Sequence, residues 1–320
     1  TRTTMRSGLR RLERLLEKPL EDMTSNTFSD PEAMIEKILD DYSLNTGIST
    51  ILVIKQVLKH LGAEKNEKLI KEYNEFMLEL VNERNQAMME QKKTPAEEKL
   101  GEDFDYQRMK DKFFKYIERI DGTKLSFQKA RAILILALYL FQPPTRISNY
   151  LNMQVKRPSA RLSKKKNYLL TDGDNVKFVF QDYKTSKHLG KQELRVTDPD
   201  LKSLINDYIS KHPERERKAT KNNPRRYGFE FLTTESGAPV SQSNFTNILK
   251  GITEKIYGVP LSVNNMRHIF LTWFLNQNPS LKEREKVAHI MGQTFRPSRA
   301  ELYARRDEQD KEVLKNLKEM

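Results

Sequence analysis

The chain has no cysteine. That rules out a disulfide framework, a thiol nucleophile and a cysteine-based zinc site, and it fits a reducing compartment without demanding one. Long hydrophobic runs are missing too. The longest, residues 132–141, is about ten residues, roughly half of what spans a bilayer, and reads as a buried core helix. No charged-then-apolar leader opens the sequence, so an intracellular protein without a membrane partner is the expectation. Histidines number five in 320 residues. A glycine-rich phosphate loop, a His-Glu-x-x-His pair and a Gly-x-Ser-x-Gly elbow are absent, and with them the usual signatures of nucleotide, zinc-protease and serine-hydrolase chemistry.

Positive charge is in excess. There are 57 Lys+Arg against 44 Asp+Glu, net +13. Residues 1–100 carry 16 basic and 18 acidic side chains, and residues 101–320 carry 41 and 26. The second stretch is therefore the expected polyanion-binding part, since clustered Lys and Arg neutralise phosphates and release counterions. A merely basic, solvated surface is the competing explanation.

Patterning divides the chain. Residues 1–25 open with a basic amphipathic helix, in which Arg2, Arg6, Arg10, Arg11, Arg14 and Lys18 alternate with leucines; it lies on a polyanion or is a solvated terminal helix. Residues 26–90 show helical periodicity only, with Pro31 in a first helical turn and Gly62 ending a second helix. Residues 91–103 are charged, carry Pro95 and Gly101 and have no apolar face, which reads as a linker. Beyond it, helices are expected over 104–120 and 126–141, strands over 167–170, 176–180 and 193–196, and helices again over 199–211, 243–257, 265–276, 282–291, 298–305 and 307–318. Asp172-Gly173-Asp174 reads as a hairpin turn rather than a metal site. The expected fold is mainly α with a small β-sheet, an α+β class.

Four short stretches carry the chemistry: Thr145-Arg146-Ile147-Ser148, Tyr183-Lys184-Thr185-Ser186-Lys187, Asn264-Asn265-Met266-Arg267, and Ile290-Met291-Gly292-Gln293 with Tyr303 ten residues on. A phenol can attack a DNA phosphodiester and leave a phosphotyrosine if fixed cations absorb the charge developing on the non-bridging oxygens. Arginine suits that task because its planar fork gives two parallel hydrogen bonds and keeps its charge. A lysine can protonate the departing 5′ oxygen.

In that order the stretches resemble the tyrosine recombinase (integrase) family, in which Arg, Lys, His-x-x-Arg, a Leu-Leu-Gly-His/Trp turn and Tyr follow one another. The resemblance covers roughly residues 104–306 by motif order, and residues 26–90 only by helical character. It implies a helical core-binding domain and a catalytic domain (104–306) closing as a C-shaped clamp on duplex DNA, a 3′-phosphotyrosyl intermediate on Tyr303, no metal or other cofactor, and a tetramer on paired specific sites. The catalytic set would be Arg146, Lys184, Asn264, Arg267, Gln293 and Tyr303. Lys187, Lys191, Arg225, Arg226, Arg296 and Arg299 would contact DNA. A mobile element or virus is the implied source, and a nucleoid or host nucleus the implied place of action.

Departures from the family pattern are equally definite. Asn149 stands where an acidic residue follows the first arginine, Asn264 where His precedes the second, and Gln293 where His or Trp closes the turn. Amides donate hydrogen bonds but do not shuttle protons near pH 7, so the acid–base work falls on Lys184 or on a neighbouring histidine, with His268 and His289 the candidates; a lone histidine is usually structural, and that is the preferred reading of both. Residues 307–320 place Val313, Leu314 and Leu317 on one helical face, which folds back or docks on another protomer. Related readings are a hairpin telomere resolvase, a type IB topoisomerase and a catalytically inactive DNA-binding protein.

Overall fold

The computed structural model describes residues 2–89, 93–120, 125–217 and 227–293. Tyr303, Arg225, Arg226, Arg296, Arg299 and the helices expected over 298–305 and 307–318 lie outside them. Two compact units divide between Glu90 and Gln91. No helix among the described residues is long and apolar enough to cross a membrane.

The first unit is entirely helical: α1 (Arg2–Leu16), α2 (Pro31–Asp41), α3 (Leu44–His60) and α4 (Glu67–Met89). Asp30 caps α2 by accepting from Ala33 N at 3.0 Å, with Pro31 supplying its fixed φ in the first turn. Ile51, Ile54 and Leu58 of α3 are fully buried, and their spacing is that of one helical face. Leu12 and Leu15 of α1 share that core, so the basic N-terminal segment is built into the unit. Gly8 permits this close approach: a Cβ there would collide with Val53. One of the helix's cations is engaged internally, because Arg11 Nη1 donates to Ser49 Oγ at 2.9 Å and Thr50 Oγ1 at 2.8 Å.

The second unit begins with a correction. The stretch read as a linker folds as α5 (Pro95–Lys99) and a 3-10 turn (Gly101–Asp103). Thr94 and Glu97 form a capping box around α5, and Glu97 and Leu100 are buried. The segment lacks an apolar stripe because half of its buried face is a carboxylate. After α6 (Tyr106–Glu118) comes α7 (Phe127–Leu140), capped by Ser126 and buried continuously from Ile133 to Leu140, the core helix expected from the apolar run. Gln142-Pro143-Pro144 ends it, since proline can neither donate into the helix nor tolerate a helical predecessor.

A short α8 (Ile147–Tyr150) leads into a four-stranded sheet in the order β1 (Gln154–Lys156), β2 (Tyr168–Thr171), β3 (Val176–Phe180), β4 (Gln192–Arg195). β1 runs parallel to β2, and the remaining pairs are antiparallel. β1 went unread because its one buried side chain, Val155, lies between polar neighbours. Asp172-Gly173-Asp174 turns β2 into β3, with Asp172 Oδ1 accepting from Asn175 N. A single helical turn, α9 (Ser186–Leu189), interrupts the β3–β4 connection. Helices α10 (Pro199–Ser210), α11 (Pro213–Arg217), α12 (Gln242–Tyr257), α13 (Val263–Asn276) and α14 (Leu281–Ile290) complete the unit, and α10, α12 and α13 pack on α7.

Candidate active site

Arg146 occupies the N-cap position of α8 in extended conformation, where the double proline has forced the chain out of α7. It is half-buried, and its Nη1 is buried with no hydrogen-bond partner among the described residues. Asn149, which stands where an acidic partner would, is 1% exposed, and neither of its side-chain atoms has a partner among the described residues. It does not hold the arginine as a carboxylate would.

Arg267 is fixed instead. A capping box between Ser262 and Asn265 starts α13, which sets the side chain one turn in from the helix N-terminus. Arg267 is 5% exposed and donates to Pro144 O at 2.8 Å and Met291 O at 3.4 Å. One cation thus ties the chain before Arg146 to the glycine turn. That turn is a Schellman cap on α14: Gly292 N donates to His289 O, Gln293 N to Ala288 O, and Gly292 takes φ 66°. A side chain at 292 would be strained in this left-handed region.

The lysine-bearing connection is held against the same turn. Thr185 Oγ1 donates to Gly292 O at 2.9 Å and Gln192 Nε2 to His289 O at 2.6 Å. Asn167, outside β2, acts as a polar pin from below: its Nδ2 donates to Asn149 O and Asp182 O, and its Oδ1 accepts from Gln181 N and Asp182 N.

These constraints bring Arg146, Lys184, Asn264, Arg267 and Gln293 to the wall of one open concavity of about 470 Å³, together with Ile147, Ser148, Gln242, Thr246, Ser262 and Val263. Three cations and no carboxylate line it. The N-terminal turns of α12 and α13 open on it, adding the positive ends of two helix dipoles. The charge and the donor set suit an oxyanion such as a phosphate group. Gln242, Thr246 and Ser262 escaped the sequence reading because neutral donors leave no spacing signal.

Neither His268 nor His289 lines the concavity. His289 is exposed on α14, and His268 Nδ1 lies 2.7 Å from Glu97 Oε1. Glu97 is fully buried and also accepts from Asn265 Nδ2 at 3.1 Å and Thr94 N at 2.8 Å. Lys187 is exposed on α9. Lys191 pairs with Glu193 at 2.5 Å and Lys177 with the same carboxylate at 2.7 Å; hydrogen bonds from these lysines hold Glu193 down to about 2.

The Glu97 cluster has a measurable consequence. Burial alone would raise its carboxyl, but hydrogen bonds from His268, Thr94 and Asn265 and the charge of His268 bring it from 4.5 to about 2. A depressed folded-state value stabilises the protein above the unfolded value and loses that contribution as pH falls through the folded one. We expect roughly 3 kcal/mol to be lost between about pH 4.5 and 2. Glu97→Gln should flatten that part of the profile in urea titrations at stepped pH. An unchanged profile would remove this carboxylate as the acid-sensitive group.

No family model matches the chain, and no curated protein matches it. Among solved structures, the crystal structure of XerA recombinase aligns over 99% of this chain and 92% of its own, at 10% identity and a TM-score of 0.41, a similarity that by itself fixes neither fold nor activity.

Proposed function

We propose that the chain is a DNA strand transferase of the tyrosine recombinase type. The observation that supports this most directly is the shared concavity: five residues chosen for their order in the sequence line one cationic, carboxylate-free pocket. In this reading the arginines and the Asn264 and Gln293 amides bind the non-bridging oxygens of one phosphodiester. The Tyr303 oxygen attacks phosphorus, the phenolic proton passes to water, the bond from phosphorus to O5′ breaks, and the Lys184 ammonium protonates the departing oxygen. Rejoining runs the steps backward with a new 5′ hydroxyl. One phosphodiester replaces another, so no energy-carrying cofactor is needed.

Tyr303 is the tyrosine whose place in the chain suits the role. None of the described tyrosines lines the concavity. Tyr303 stands ten positions beyond Gln293, a tether that reaches at most about 35 Å when extended, so the sequence distance permits attack at this pocket. By the family resemblance we extend the proposal to a site-specific recombinase or integrase of a mobile element or virus, working as a tetramer on paired sites, with a hairpin telomere resolvase or type IB topoisomerase as the related alternative. The lack of any imidazole among the lining residues favours a second reading, a DNA-binding architectural protein that keeps the clamp without turnover.

Nicked duplexes that release the cleaved end separate these. Incubation and denaturing electrophoresis should show a covalent protein–DNA band; DNA binding without that band would leave the architectural reading. Binding itself should be steeply salt-dependent, falling by about 10³–10⁵ between 50 and 200 mM salt if roughly six to ten phosphates are contacted. Affinity indifferent to salt would contradict both.

A further inference from the structure

We infer that the loop between β1 and β2, residues 157–166, is a second seat for DNA phosphate, holding the backbone that flanks the reacting phosphodiester. The inference rests on the DNA reading above and adds a surface that the motif order does not include.

Residues 156–166 read Lys-Arg-Pro-Ser-Ala-Arg-Leu-Ser-Lys-Lys-Lys, six cations and no carboxylate in eleven positions. Such a run would ordinarily be a solvated, self-repelling tract. Here it is fastened down. Leu162 packs on the small apolar cluster of Tyr168, Leu170 and Val179. Ser163 N donates to Tyr168 Oη at 2.9 Å, and Gln181 Nε2 donates to Ser163 O at 3.1 Å and Lys166 O at 3.4 Å. Two cations are engaged at the rim: Lys166 pairs with Glu230 at 3.2 Å, and Arg157 stacks over the Tyr227 ring at 5.1 Å. Arg161, Lys164 and Lys165 are exposed, and no ion pair or hydrogen bond engages their side chains among the described residues. Pinning a loop that carries three uncompensated like charges costs free energy, which a bound polyanion offsets.

Placement identifies the polyanion. Lys165 and Lys166 line a second concavity of about 560 Å³, together with Lys184, Asn152 and Asn167 and one carboxylate, Asp182. It shares Ser148, Lys184 and Gln242 with the arginine pocket, so the two are neighbours across a common wall that includes the proposed general acid. A ligand with one phosphate against Arg146 and Arg267 and others within reach of Lys165 must carry regularly repeated phosphates, as a nucleic acid strand does. An isolated phosphate or a mononucleotide would fill the first pocket and leave the loop uncompensated.

The test combines Arg161→Gln, Lys164→Gln and Lys165→Gln in the full chain and measures affinity for a nicked duplex against salt. Each lost phosphate contact reduces the slope of log K on log salt by about 0.9, so the combined variant should bind with a slope about 2–3 shallower. Its melting temperature should match the parent's. Lys164→Arg with Lys165→Arg should keep the parent slope. Neutral methylphosphonates placed singly beside the nick should weaken the parent but not the triple variant. An unchanged slope, or sensitivity only to methylphosphonates remote from the nick, overturns the loop assignment while leaving the pocket reading intact. Absence of salt-dependent DNA binding by the parent chain overturns the DNA reading and the loop assignment together.

Discussion

Alanine at Arg146 and alanine at Arg267 are expected to slow cleavage alike yet differ sharply in stability. Each removes a preorganised donor from the charge that develops in the transition state, a change that typically costs about 10²–10³ in rate. Their structural roles differ. Arg267 is 5% exposed and satisfies two carbonyls, Pro144 O and Met291 O. Its loss strands two buried acceptors whose hydrogen bonds to a charged donor are worth about 1.5–3 kcal/mol each, so Arg267→Ala should unfold roughly 3–6 kcal/mol more easily. Arg146 holds a buried Nη1 with no partner among the described residues. Removing it relieves an unsatisfied donor, and Arg146→Ala should lie within about 1 kcal/mol of the parent, or above it. Urea melts set beside single-turnover adduct formation decide the matter. Parent-rate cleavage by Arg146→Ala would remove it from the site. Equal destabilisation by both would mean that the pocket's cations are structural.

How far the sequence foretells this structure depends on where each signal resides. The apolar run of α7 and the capped start of α2 are local and were legible, because burial and orphan N–H groups dictate them within a few residues. The positions of Arg146, Lys184, Asn264, Arg267 and Gln293 were legible through their order, though the ties that assemble them were not. Arg267 to Pro144 and Thr185 to Gly292 each cross more than a hundred residues, and no periodicity reports such pairs. The same reason hid α5. Glu97 reads as a solvated linker charge until Asn265 and His268, 168 and 171 residues away, surround it. His268 stands beside Arg267 in sequence but faces Glu97, as residues adjacent on a helix must point about 100° apart.

The second large effect belongs to Tyr303. Loss of one hydroxyl in Tyr303→Phe should eliminate the covalent adduct and leave DNA affinity nearly unchanged, because phosphate contacts set affinity and the phenol supplies only the bond-forming oxygen. Competing tyrosines are poorly placed. Tyr257 is buried, donates to Met109 O at 3.0 Å, and has its ionisation pushed up by burial. Tyr183 is committed to Gly190 O at 2.7 Å.

Peptide mapping of the trapped adduct therefore decides most directly. Protein captured on a nicked duplex, digested with nuclease and trypsin, should yield the peptide Ala300–Arg305 carrying a nucleotide 3′-phosphate on Tyr303, and the Tyr303→Phe protein should yield no adduct at all. A nucleotide on any other residue, or an adduct that survives Tyr303→Phe, would contradict a phosphotyrosyl enzyme built on this pocket and this tyrosine.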